Sequence, residues 1–380
     1  MVSARAVFAA AACAGTVAGA AYLLFALDRM RSFRARRANG EGSAPPITIF
    51  KPLHGAEPAL YENLRSFCDQ EYPQFQVIFG SADPADPALD AARRLQREFP
   101  SVDITVVAGG AARTRNPKVG NLIGMREYAR HGIWAIADSD MRVGQQYLSA
   151  IAASFAGAET GAMTCVYGGV PLHGVTAQLG AMYVNDQFAP SVLVAAAIEP
   201  LTYCFGATMA VRRDVLDAAG GLERLGDALG DDYELGRAVR EAGREIALSP
   251  YVVQTTVSDA DLRALWLHEL RWARTILAQR PAGYAGSIVT YALPFAAAWL
   301  ALAPSWISAL GFASVAALRT LAHYRGRETF APQSPASPWL IPVRDMLSVA
   351  VWGAAFFGRT VRWRGAQFSV EAGGHMAAEE

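Results

Sequence analysis

The chain has 380 residues, enough for one α/β domain of about 200 to 250 residues with additional elements. Its 34 Lys and Arg balance its 34 Asp and Glu, so no global charge points to a nucleic acid or an acidic polymer. At 52% hydrophobic the composition is too apolar for an ordinary soluble protein, and the excess sits at the two ends. The four cysteines (Cys13, Cys68, Cys165, Cys204) are scattered without a Cys-x-x-Cys pair, which argues against a disulfide framework or a zinc site and suits a reducing cytoplasm.

Residues 6–27 carry no charge, and about 20 apolar residues of helix cross the hydrocarbon core, which predicts a transmembrane anchor over 1–28. A cleaved signal peptide is the alternative, but its apolar core is about 7 to 15 residues and no small-residue cleavage site precedes the charged flank. Arg29, Arg31, Arg34, Arg36 and Arg37 follow in a basic linker over 29–45, against one arginine before the span, so the following domain is expected in the cytoplasm and the N-terminus outside. From 46 to 280 short β-branched runs alternate with amphipathic stretches, which means α/β. Strands are predicted over 47–50, 75–79, 102–107, 133–137 and 163–167, and helices over 59–69, 87–99, 121–130 and 232–242. A mostly parallel sheet follows, with ligands gathered at the carboxyl ends of its strands.

Beyond it, 281–318 is again uncharged, with Pro304 and Ser305 as a turn signal near its middle, and reads as a transmembrane hairpin returning to the cytoplasm at Arg319, His323, Arg325 and Arg327. The remainder, 319–380, contains a basic loop and a last apolar run over 346–358. That run is shorter than a span and reads as re-entrant or interfacial.

Strand 133–137 ends directly in Asp138-Ser139-Asp140. Two carboxylates at the end of a strand in an open sheet suit Mg²⁺ or Mn²⁺, which takes one or two protein carboxylates and fills its shell with phosphate oxygens and water. A bound diphosphate is implied, as in transfer from a nucleotide sugar. Paired acids at a strand end also serve as turn caps. Strand 75–79 likewise runs into Asp83, which either reads the base or ribose of a nucleotide or caps the turn before Pro84. Asn116-Pro117-Lys118 is expected in the loop before a helix, where Lys118 pairs with a diphosphate or is simply solvated. Asp231 and Asp232 open the helix over 232–242, either capping it or supplying a general base. His268, Arg271 and Trp272 share one helix face, with Arg271 suited to phosphate and Trp272 to stacking on a sugar or lipid; an interfacial tryptophan with a snorkelling arginine gives the same pattern.

Lys51-Pro52-Leu53, Asn116-Pro117-Lys118, Asp138-Ser139-Asp140, Phe205-Gly206-Ala207-Thr208, Asp231-Asp232-Tyr233 and His268-x-x-Arg271-Trp272, in this order, resemble the ceramide glucosyltransferase family, with the likeness greatest to bacterial relatives including hopanoid-biosynthesis glycosyltransferases. The resemblance runs from about Pro46 to Trp363-Arg364-Gly365. It implies a GT-A fold, a UDP-sugar donor, inversion at the anomeric carbon and a hydroxyl-bearing membrane lipid, ceramide or a hopanoid, as acceptor. By position it implies Asp83 in nucleotide binding, Asp138 and Asp140 at the metal with Asp140 the preferred ligand, Asp232 as catalytic base, and Arg271 and Trp272 as the final motif. His268 departs from the family's usual Gln or Arg, and its donor contact is an expectation from position alone. The expected location is the bacterial inner membrane, multi-pass, with glucose or N-acetylglucosamine as the sugar. Two other readings share the motifs. One is a polysaccharide synthase, for which three or four membrane segments offer little channel material; the other is a non-catalytic nucleotide-sugar sensor, which would not need Asp232.

Overall fold

A computed structural model describes residues 3–36, 44–363, 366–370, 373–374 and 376–378; the linker residues 37–43 with Arg37, and Arg364 and Gly365, lie outside the described residues. The chain divides into two units, a sheet unit of Arg36–Tyr167 and Glu199–Thr256 and a helical unit of Met1–Ala35, Gly168–Ile198 and Val257–Glu380.

The sheet has eight strands: β1 (Ile47–Pro52), β2 (Phe75–Ser81), β3 (Asp103–Ala108), β4 (Ile133–Ala137), β5 (Met141–Arg142), β6 (Thr160–Pro171), β7 (Thr208–Arg212) and β8 (Glu245–Val257), in the order β3-β2-β1-β4-β7-β6-β8-β5. Strands β3, β2, β1 and β4 pair in parallel. All residues of β1 and β4 are buried, as in a parallel sheet with helices covering both faces; β4 is an unbroken apolar run, whereas β1 also buries Thr48 and Lys51. The core packs β1, β2 and β4 against helices Leu60–Cys68, Ala88–Glu98 and Tyr147–Ser154, with Leu64, Phe67, Val77, Phe79, Leu95 and Ile151 inaccessible. Beyond β4 the pairing turns antiparallel, and β7, which has no predicted counterpart, lies beside β4 with Ala137 opposite Thr208. That register puts the residue after β4, Asp138, beside the loop entering β7.

The helix expected over 121–130 begins earlier, at Pro117, and ends at Arg126. Asn116 is its N-cap and accepts from the backbone N–H groups of Lys118 and Val119, with Pro117 at the first position where no N–H is needed. Lys118 therefore stands in the first helical turn and not in a loop.

In the helical unit, residues of the expected anchor form one helix, Ala4–Ala35, which continues past 28 through Arg29, Arg31 and Arg34. It is the one helix among the described residues that is long and apolar enough to cross a membrane, and a second counts only if Pro281–Thr290 and Ala292–Leu302, bent by 61°, form a single span. Small residues set its packing. A Cβ on Gly15 would lie 2.5 Å from the Phe295 ring, and one on Gly19 would lie 2.5 Å from Ala292, so only glycine lets helix Ala292–Leu302 approach this closely.

The stretch 281–318 does turn at Ala303-Pro304, where Ser305 and Ser308 form a capping box for helix Trp306–Phe330. That helix runs on past 318, and Arg319 and His323, expected as charges flanking a membrane exit, are instead buried at 3% and 2% exposure. Arg319 bonds Asp345 through two nitrogens and Asp186 through a third, and His323 meets Asp186 at 2.8 Å. Buried charge persists only when paired, and these carboxylates are the reason the two residues turn inward. The last apolar run belongs to helix Ile341–Ala355, whose Arg344 makes a bidentate bond with Glu269 at 2.6 and 2.7 Å. Strands Thr360–Trp363, Ala366–Val370 and Met376–Ala378 form a separate antiparallel sheet.

The close glycine contact is testable. Gly19→Leu should destabilise the detergent-solubilised chain by about 1 to 3 kcal/mol through overpacking, whereas Gly353→Ala, where an added Cβ meets nothing within 4 Å, should leave the melting temperature at or above that of the parent.

Candidate active site

At the carboxyl end of β1, Lys51 is fully buried; its ammonium donates to the backbone carbonyl of Asp138 and lies 3.7 Å from the centroid of the Phe67 ring. Burial brings this lysine down to about 7, with Asp140, Asp138 and Glu57 opposing the fall. Sequence reasoning quoted Lys51 in a motif but gave it no role. The available signal was a lysine closing an otherwise apolar strand. Its effect is to fix the turn Asp138-Ser139-Asp140 from beneath, while Ser139 donates to Glu57 at 2.6 Å from above.

Lys118 occupies the centre of the cluster, 2.9 Å from Asp138 and 3.0 Å from Asp231, with its side chain 7% exposed. A cation in the first turn of a helix opposes the helix dipole, and burial disfavours it further; the two carboxylates outweigh both and hold the ammonium above the ordinary lysine range. It is thus not a solvated lysine. Asp231 and Asp232 open helix Asp231–Glu241, where Gly230 takes the N-cap position without a side-chain bond. Asp232 accepts from the backbone N–H of Gly206 at 2.7 Å and from that of Tyr233 at 2.8 Å. Burial, and next the adjacent Asp231 carboxylate, raise Asp232 to about 6, against Lys118 and those two N–H groups. A Cβ on Gly206 would lie 3.2 Å from Asp232 Oδ2 and 3.8 Å from Asp138 Oδ2, so the bare backbone at Gly206 separates the two carboxylates.

Asp140 accepts from the Thr255 hydroxyl at 3.0 Å, and its carboxyl is raised to about 6 by burial first and then by Asp138 and Glu57. Among the described residues no group of three or more His, Cys, Asp or Glu is gathered as a ready-made metal cage. The donor set fits a hard cation of the other kind, one that takes two carboxylates from the protein and completes its shell with phosphate oxygens. Lys118 uses one oxygen of Asp138 and Thr255 one of Asp140, each carboxylate has a second, and the accumulated negative charge that raises Asp140 is what a cation would relieve.

Asp83 stands apart from this cluster. It is exposed after β2, and its carboxylate accepts from Ala85 N–H at 2.8 Å, a turn-capping bond. The structural work at this strand end falls to Asp86, which is buried and accepts from Gly55, Ala88 and Ser81, tying the loop after β1 to the end of β2. Burial works against that charge, yet these three donors hold the Asp86 carboxyl below its usual range.

His268, Arg271 and Trp272 belong to helix Leu262–Gln279 of the helical unit. His268 meets Asp259 at 3.2 Å, and Trp272 stands between the His268 ring at 4.2 Å and the Tyr183 ring at 5.9 Å. The tryptophan is therefore partly buried between two rings, and Glu269 in the same turn anchors the helix to Arg344.

Compared with known proteins, the profile described as glycosyl transferase family 21 matches residues 11–376. Ceramide glucosyltransferase 3 of Caenorhabditis elegans is 22% identical over 351 residues, covering 88% of this chain and 75% of the worm protein. Ceramide glucosyltransferase 1 of the same organism is 22% identical over 349 residues, covering 87% and 73%. Among solved structures, a mannosyltransferase from Pyrobaculum calidifontis in complex with GDP-Man and Mn²⁺ aligns with a TM-score of 0.58 at 20% identity, covering 92% of this chain and 99% of that one. The likeness is one of fold and agrees with the expected GT-A class.

Removing the central cation exposes what it does. Lys118→Met should lower stability by about 3 to 5 kcal/mol, since Asp231 would remain buried without a partner. The folded-state pKa of Lys118 lies above its ordinary 10.5, so its contribution is fully present below that value and is lost only as pH rises beyond it. Thermal unfolding at pH 7 and at pH 9 should therefore show the same deficit.

Proposed function

The chain belongs to glycosyl transferase family 21, and on that premise we propose that it is an inverting hexosyltransferase moving glucose or N-acetylglucosamine from a UDP-sugar to a hydroxyl of a membrane lipid, ceramide or a hopanoid. Two relatives named as ceramide glucosyltransferases support the lipid acceptor. The observation that carries the reading is the pair of carboxylates flanking Gly206: Asp232, whose carboxyl is poised at about 6, and Asp138, which is neutralised by Lys118. Such an arrangement separates a proton acceptor from a phosphate-side charge cluster, as a single displacement requires.

In the proposed mechanism Asp232 takes the proton of the lipid hydroxyl, whose oxygen bonds to the anomeric carbon from the face opposite the diphosphate. The bond from that carbon to the diphosphate oxygen breaks, and UDP leaves with the electron pair. Asp140 and Asp138 would hold Mg²⁺ or Mn²⁺, which when bound neutralises charge on the departing diphosphate. Lys118 bridges Asp138 and Asp231 and fixes their positions, and Lys51 holds the backbone of the metal-side turn. Arg271 is assigned to the diphosphate, Trp272 to stacking on the sugar or lipid, and His268 to a donor contact through one ring N–H. Asp83 is assigned to the base or ribose, for which its exposed carboxylate retains an oxygen. Helix Ala4–Ala35 anchors the chain in the bacterial inner membrane, and the arginines at its end put the sheet unit in the cytoplasm.

Asp232→Asn decides the assignment of the base. Transfer to lipid should fall by about 10² to 10⁴-fold while UDP-sugar affinity and melting temperature stay near those of the parent. Near-normal transfer would remove Asp232 from the mechanism. Because a base must be ionised to accept a proton, kcat/KM of the parent should decline as pH falls through about 6, and the residual activity of Asp232→Asn should lack that limb. Chelation should stop transfer reversibly, and full activity of Asp140→Ala with chelator present would sink the metal assignment.

A further inference from the structure

Helix Ile341–Ala355, with the turn Pro338–Leu340 before it, is built inside out. Its polar side chains face inward: Arg344, Asp345 and Ser348 are at most 2% exposed. Arg344 donates to Glu269, Asp345 accepts from Arg319, and Ser348 donates to Gln187 at 2.6 Å. The apolar side chains face outward. Trp339, Val343, Met346 and Phe357 are between 53 and 79% exposed, and with the exposed Ala350 they recur at spacings of three, four and seven, a stripe along one side of the helix. Between Glu328 and Arg359 the chain carries no charge other than Arg344 and Asp345, so the outward surface of this stretch is uncharged.

In water such a helix is unfavourable on both sides, since charges lose hydration inside while apolar surface stays wet outside. In hydrocarbon both signs reverse: ionisable groups turn to the interior of the bundle and find partners there, and apolar side chains face lipid. A second copy of this chain would also cover an apolar stripe, but the surroundings favour a bilayer. Leu340 and Ile341, at the start of the helix, belong to one hydrophobic cluster with Leu23 of helix Ala4–Ala35, so the stripe continues from the anchor. That start also lies towards the arginine-bearing end of the anchor: Ser337 donates its N–H to His323, and on the same helix as His323 the Glu328 carboxylate meets Arg34 at 3.1 Å. At its other end the stripe closes with the exposed Phe356 and Phe357, where Arg274 holds the Phe357 carbonyl at 2.7 Å, and the exposed Arg359 follows. Aromatic and then basic residues are the order in which a chain leaves hydrocarbon through the headgroups.

With 15 residues the helix is about 22 Å long, too short to cross a hydrocarbon core of about 30 Å. It also leaves the anchor along its length. Val351 and Ala355 belong to a different cluster, that of Tyr284, and Tyr284 and Trp352 exchange hydrogen bonds of 3.1 and 3.0 Å. Tyr284 lies on Pro281–Thr290, which bends by 61° away from the helix packed on the anchor's glycines. We propose that the outer face of Pro338–Phe357 is a membrane-docking surface: the helix lies lengthwise in the leaflet on the arginine side of helix Ala4–Ala35, with its apolar stripe in the hydrocarbon. Its inner face carries helix Leu262–Gln279 through Glu269, Leu270 and Ala273, so the helix of Arg271 and Trp272 sits one helix spacing, about 8 to 10 Å, behind the lipid-facing one. The surface itself rests on which side chains are buried, and only the choice of leaflet rests on the anchor proposed above.

The test uses the full chain in liposomes of phosphatidylcholine and phosphatidylglycerol, photolysed with a small apolar aryl diazirine that dissolves in the hydrocarbon, with labelled residues read by mass spectrometry. Residues 6–27 report whether the chain is in the bilayer at all. Label should appear on Trp339, Val343, Met346 and Phe357 and be absent from Arg344, Asp345 and Ser348. Label on 6–27 with none on 338–357 would keep the anchor and overturn the docking surface, whether water or a second copy covers that face. Label on neither segment would remove both. These outcomes are read on the parent chain and need no variant to fold. Lipids brominated near the headgroup or near the chain end then decide the orientation. The fluorescence lost in Trp339→Phe and that gained in Phe357→Trp should both be quenched more by the shallow bromine, whereas stronger quenching of the second by the deep bromine would mean that the helix plunges and would overturn its lengthwise position.

Discussion

The sheet unit depends on one buried cation. Lys118 holds Asp138 at the end of a parallel strand and Asp231 at the start of a helix far along the chain, and nothing in either element alone would keep those carboxylates close. Desolvation of a lone lysine disfavours its charged form, and at Lys118 the two carboxylates more than offset that burial. The arrangement couples the loop after β4, the first turn of helix Pro117–Arg126 and the helix that carries Asp232 into one electrostatic unit. Asp232 itself is left on the margin of that unit, bonded by backbone N–H groups and pushed up by its neighbour, which is the condition in which a carboxylate near neutral pH can exchange a proton.

The helical unit repeats the principle with different partners. Arg319, His323, Asp186 and Asp345 form one buried cluster of charges and Glu269 with Arg344 a second, joined through Gln187 and Ser348, among helices that otherwise pack largely through apolar side chains. Such networks are costly to open, so they fix which helices are neighbours and at what rotation. The Glu269–Arg344 bond does this for the turn that carries His268, Arg271 and Trp272. The π-turn at Val184–Phe188 contributes Asp186 to the first network, and one oxygen of that carboxylate has no partner among the described residues.

Much of the fold was readable because its signals are local. The apolar runs at 47–50, 75–79 and 133–137 are strands, and Asp138-Ser139-Asp140 does follow one directly. Elsewhere local signals misled. Lys118 was expected in a loop because the apolar periodicity starts later, yet the Asn116 cap and Pro117 start the helix ahead of it. Arg319 and His323 looked like membrane-flanking charges because the carboxylates that draw them inward are far away in sequence. Strands β7 and β8 have no predicted counterpart, and β7 is what brings Gly206 beside Asp138.

What the sequence determined by itself is what depends on neighbours along the chain: strand and helix periodicity, the cap at Asn116, the uncharged stretch that becomes helix Ala4–Ala35, and the ordered motifs that identify the family. What only the tertiary structure decided is which distant charges share one buried volume. A carboxylate reads the same in sequence whether it caps a turn, as Asp83 does, or joins a desolvated cluster, as Asp231 does. The difference lies in burial and in partners many residues away, and those exist only once antiparallel pairing and helix packing have closed the chain around them.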